Sequence, residues 1–118
     1  MITLLTLPVA TAQEVFNQVA THLLKQDKQS YKGKDSACAY RGEEGRQCAA
    51  GCLIGDNEYR EGWENTTWGR LADNGNVPEQ HRLLITDLQQ VHDFSSPCNW
   101  REKLNLVAAQ HGLDGVTC

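Results

Sequence analysis

The chain has 118 residues, and 15 acidic against 11 basic ones leave a net charge of −4. This length predicts one domain over 1–118, and the charge argues against sequence-independent nucleic-acid binding, which rests on basic surface. Hydrophobic residues make up 40% and charged ones 22%, which excludes wholesale disorder, and no apolar run approaches the roughly 20 residues of a membrane span.

Residues 1–12 carry no Lys or Arg and are shorter than the roughly 15 residues of a secretory leader, so they read as mature protein in a cytosolic compartment. There the 5 cysteines count as thiols or metal ligands before disulfides. Thr11-Ala12-Gln13-Glu14 has the form of a capping box, and Val15, Phe16, Val19, Ala20, Leu23 and Leu24 recur behind it at helical spacing. They predict a first helix that ends in the polar run 25–29, with His22 beside its apolar stripe. Residues 30–36 are polar and predict a loop. Two short apolar runs, 37–41 and 46–54, flank Gly42-Glu43-Glu44-Gly45 and predict a β-hairpin. Alanine is weak in strands, so a bend into a helical turn near Ala49 is the alternative for the second run.

Residues 57–71 are polar but hold Tyr59, Trp63 and Trp68. They predict irregular structure with short helical turns, one starting near Asn65 or Thr66. Residues 72–77 predict a turn. Asn76-Val77-Pro78-Glu79 opens a second long helix, with proline at an early position where its missing N–H costs nothing. It runs to about Asp93 or Phe94, with Leu84, Leu88 and Val91 on one face and Leu83, Ile85 and His92 around it. Ser95-Ser96-Pro97 breaks it, and Asn99-Trp100-Arg101-Glu102 starts another helix. Its inner stripe is Trp100, Leu104, Val107, Ala108 and His111; Gly112 fits the cap that ends it, and 114–118 predict a frayed tail. The expected fold class is α+β, mainly helical, with a small β-hairpin packed against about three main helices.

Cys38-Ala39-Tyr40-Arg41, Cys48-Ala49-Ala50-Gly51-Cys52-Leu53-Ile54 and Asp56-Asn57-Glu58-Tyr59 resemble the core of a family of small bacteriophage and prophage proteins with no established activity. Gln13-Glu14-Val15-Phe16, His22-Leu23-Leu24, the run 88–93, Trp100 and the ending 108–113 extend the resemblance over most of the chain. Gly55 stands where the family pattern has proline, which loosens a turn. The resemblance implies a viral context in the host cytoplasm and supplies no catalytic residues.

Four constellations could carry chemistry. Cys48 and Cys52 share a face whether their segment is helical or extended, Cys38 lies across the hairpin, and His92 could complete a tetrahedral zinc site of three Cys and one His. Cysteine is also among the most often buried residues, and buried structural thiols are the plainer reading. A nucleophilic Cys38, Cys48 or Cys52 activated by His92 is the second; adjacent helical residues point about 100° apart, which places Asp93 poorly for orienting His92. Tyr40, Arg41 and Arg46, followed by Trp63 and Trp68, could form a phosphate or nucleotide pocket, although Glu43 and Glu44 neutralise the arginines. Tyr31, Tyr59, Trp63 and Trp68 are the fourth, anchors of a protein interface or a cover for the hairpin's open face. The expectation is a phage-type accessory protein that binds a host protein or a small nucleotide-like ligand, with counter-defence as the role its viral context suggests, without catalysis, cofactor or membrane contact. The alternatives are a zinc-supported domain and a Cys-dependent enzyme. Cys98 and Cys118 read as spare thiols.

Overall fold

A computed structural model describes residues 1–31 and 38–116. Residues 32–36 of the expected loop, Ala37 and Cys118 lie outside that range. The first helix, α1, spans Ala12–Gln26. Its capping box forms as expected: Glu14 N–H donates to the Thr11 hydroxyl at 3.1 Å, and Thr11 N–H to the Glu14 carboxylate at 2.8 Å. Three further helices follow: α2 at Trp68–Asp73, α3 at Arg82–Phe94 and α4 at Trp100–Gln110. α1, α3 and α4 pack on one another, and α2 packs on α3. Phe16, Val19 and Leu23 of α1 meet Leu84, Leu88 and His92 of α3 and Trp100 and Leu104 of α4 in one buried core. None of the helices is long and apolar enough to cross a membrane, among the described residues.

The expected α+β class is corrected: no strand forms among the described residues. The second run of the hairpin takes the alternative and bends. Cys52, Leu53 and Ile54 N–H bond back to the carbonyls of Cys48, Ala50 and Gly51 at 3.3, 3.0 and 3.1 Å, closing a 3₁₀ turn at Gly51–Leu53. Two backbone bonds still join the runs, Gly42 N–H to Arg46 O at 2.8 Å and Cys48 N–H to Ala39 O at 3.3 Å. Helical backbone cannot extend these into a ladder. The link between them is itself a 3₁₀ turn, Glu43–Gly45, with Glu44 and Gly45 at positive φ.

α3 starts later than expected. Chain 78–81 is a turn, and His81 precedes the helix at φ 65°, in the left-handed region that interrupts a helix. Its Nε2–H donates to Ala10 O at 2.7 Å, which ties this turn to the N-terminal segment. Leu83 points outward and is 75% exposed. At the other end of the chain, Gly112 adopts φ 67° and Leu113 N–H reaches Ala108 O at 2.8 Å, the Schellman closure of α4. Residues 114–116 are not frayed: Asp114 N–H bonds to Gln13 and Val116 N–H to Asn105, at 2.8 and 2.7 Å.

Single polar side chains replace strand partners in the non-helical half. Glu58 accepts from Leu4, Leu5 and Gly55 N–H at 2.9, 3.1 and 2.7 Å. Glu64 accepts from Tyr40 and Arg41 N–H at 3.0 and 3.1 Å and from the Tyr59 hydroxyl at 2.5 Å. These two carboxylates satisfy backbone donors that a β-ladder would otherwise occupy.

Candidate functional site

Cys38 is delivered to α3 by the 38–41 segment. Ala39 N–H donates to Ser30 O at 3.0 Å, the Ser30 hydroxyl donates to Ala39 O at 2.7 Å, and Glu64 holds the next two amides. On α3, Gln89 and Asp93 are four residues apart and so share a face. Gln89 Nε2–H donates to Cys38 Sγ and to Asp93 Oδ1, each at 2.8 Å, while its Oε1 accepts from Ala50 N–H at 2.8 Å. One glutamine therefore locks the 38–41 segment, the 48–54 turn and α3 together.

His92 is fully buried and stacks on Trp100, ring centroids 5.7 Å apart. Its Nδ1 bonds to Asp93 Oδ1 at 2.8 Å, and its Nε2 accepts from Ser30 N–H at 2.9 Å. A backbone N–H can only donate, so Nε2 carries the lone pair and Nδ1 the proton of a neutral ring. Burial disfavours the imidazolium, and the Asp93 carboxylate favours it. The expectation that Asp93 is poorly placed to orient His92 is thus corrected. At the end of α3 the ring points inward and Asp93 lies at the boundary, close enough for Nδ1–H to reach it.

Cys38, His92 and Asp93 each offer one ligand atom, all within 4.8 Å of one another, a set that could hold a metal ion. Cys48 adjoins it: a bond with the Cys48 thiol, followed by burial, pushes the Cys38 thiol well above the ordinary thiol range, and His92 opposes this in part. His92 Nε2 accepts from Ser30, and the raised pKa of Cys38 disfavours its thiolate. Cys52 stands apart from the set; it donates to Ala49 O at 3.1 Å, and burial pushes it up to about 12. Cys98 is exposed.

The expected arginine pocket does not assemble. Arg41 turns inward and donates to Gly51 O at 2.9 Å, Ile54 O at 2.6 Å and Asp56 at 3.1 Å, with its guanidinium 5.1 Å from the Tyr59 ring centroid. A guanidinium engaged on backbone carbonyls is not a phosphate fork. Arg46 pairs with Glu44 at 2.7 Å, the neutralisation expected from its neighbours. Nor do the tryptophans form an exposed patch. Trp68 is 2% exposed and Trp63 is half-buried against the core, because the irregular segment folds back over the helices. Tyr59 is half-buried, and Tyr31 bonds to Gln29 at the surface.

The structure gathers Tyr40 and Trp68 of the expected set, with other residues, around a cavity of about 620 Å³. One wall is 65–69, which includes Trp68; the other is the face of α3 that carries Leu83, Thr86, Gln90 and Phe94. Cys38, Tyr40, Gln89 and Asp93 also line it, so the cluster above borders the cavity. The Tyr40 hydroxyl is spent on Thr66 O at 2.5 Å. The Trp68 indole N–H is buried and has no acceptor among the described residues. Comparison with family models, with curated proteins and with solved structures finds no match. The spacing of 83, 86, 90 and 94 marks one helical face, but nothing in the sequence distinguishes a cavity wall from a solvated face there.

Proposed function

We propose that this chain is a non-catalytic binding domain that takes a small molecule between α3 and 65–69. The observation that carries the reading is the cavity of about 620 Å³ between these elements, within the size range of ligand sites, with Trp68 in its wall. Of the two kinds of partner expected from the sequence, a small ligand fits better than a host protein, because the tryptophans expected to anchor an interface are buried or half-buried. In the phage setting that the sequence resemblance implies, such a domain would sequester or sense its ligand in the host cytoplasm.

The test is a small-molecule screen of the ¹⁵N-labelled protein by NMR. Binders are expected to shift the Trp68 indole resonance together with the Gln89 and Gln90 side-chain amides. Thr86→Trp, which fills the cavity, is expected to abolish those shifts. Shifts that survive Thr86→Trp, or that never involve Trp68, would overturn the reading.

Zinc is the second reading, favoured by the three donors of Cys38, His92 and Asp93 within 4.8 Å of one another. Coordination through Nδ1 would move its proton to Nε2 and break the Ser30 bond, and coordination through Nε2 would displace Ser30 directly. A native mass above the denatured mass, abolished by chelator, would promote it.

A further inference from the structure

We infer that the cavity selects a planar organic cation with N–H donors, of the amidine, guanidine or protonated aminoheterocycle class. The inference rests on the binding reading above and names its ligand chemistry. Asp93 supplies the recognising group. Gln89 and His92 both bond to Oδ1 and neither to Oδ2, and the side chain lines the cavity at 20% exposure. The carboxylate is therefore oriented by two donors, and Oδ2 has no partner among the described residues. A planar amidinium or guanidinium presents donors that match a carboxylate in geometry and charge.

Two further features give the same sign. Asp93 lies in the last turn of α3, where the helix carbonyls add partial negative charge and favour a cation. At the opposite end of this face, Arg82 is bonded to Asp73 at 2.8 Å and to Glu79 at 3.2 Å, so its charge is more than offset and it offers an anionic ligand little. The walls set the shape. Trp68 and Tyr40 are apolar surfaces at depth, while Leu83 and Phe94, 75% and 83% exposed, stand at the rim. A flat apolar body with one charged N–H head satisfies both the walls and Asp93, and a phosphate-bearing nucleotide does not.

The experiment compares benzamidine, its neutral analogue benzamide and the anion benzoate on the wild-type protein, in EDTA to exclude metal, at millimolar concentration, following the Trp68 indole resonance. Benzamidine is expected to bind about tenfold more tightly than benzamide, and benzoate more weakly still. Asp93→Asn is expected to erase that preference; should it fail to fold, the wild-type series decides alone. Benzamide or benzoate binding at Trp68 as tightly as benzamidine would overturn the cation class and leave the binding reading standing. No shift at Trp68 with any of the three would overturn both.

Discussion

Replacing Arg41 by alanine removes the donors of three acceptors at once, the carbonyls of Gly51 and Ile54 and the Asp56 carboxylate. Asp56 is 95% exposed, so its ion pair adds little. The two carbonyl bonds come from a charged donor that is 20% exposed, and such bonds are worth about 1.5–3 kcal/mol each. Arg41→Ala is therefore expected to cost about 2–4 kcal/mol in urea unfolding. Arg41→Lys should recover little of it, because one ammonium is a poor match for a fork spread over two carbonyls. A loss below about 0.5 kcal/mol would show that the turn is held by other groups. The role of this residue was not legible in the sequence, where an arginine beside a tyrosine looked like a ligand contact. The cluster at Cys38 is legible in part: the sequence pairs Cys38 with His92, but helical geometry argues against Asp93. A 100° separation excludes a common direction, not a common boundary, and the end of a helix is where the two differ.

Helices with explicit start and stop chemistry were the readable elements. α1 has its capping box and α4 its glycine closure, both encoded within a few neighbouring residues. The hairpin failed because its evidence was a turn between two apolar runs, which a folded-back 3₁₀ segment satisfies equally. What decides the geometry is Gly51, packed so tightly on Tyr40 that an added Cβ would collide with its carbonyl oxygen. Gly51→Ala must push the 48–54 turn away from the 38–41 segment and is expected to cost about 1–3 kcal/mol, read as a lowered urea midpoint. Alanine at Gly62, where an added Cβ meets nothing, is the control and should leave the midpoint nearly unchanged. Equal effects at the two positions would mean that close packing at Gly51 is not what matters. The start of α3 failed for a different reason: Pro78 is tolerated in a helix's first turn, but the left-handed backbone at His81, tied to Ala10, postpones the helix.

His22 should lower the stability of the molecule on mild acidification. Its Nε2–H donates to Gln47 O at 2.9 Å, and its pKa is held below the ordinary value, first by burial, although that bond works the other way. The folded chain thus binds this proton less readily than the unfolded one. The stability His22 contributes is complete above about pH 6.5 and falls as pH drops through that value. His22→Gln keeps an N–H donor for Gln47 without a titrating group, and should shrink the loss in urea midpoint between about pH 7.5 and 5.5. An undiminished loss would assign the acid sensitivity to other groups. Across the molecule, the non-helical half depends on Glu58, Glu64 and Gln89, each bridging segments far apart in sequence. Descendants of this chain can therefore drift widely on the outer helix faces while keeping the fold. At these three positions drift has no gradual route, because one exchanged side chain releases several backbone segments together.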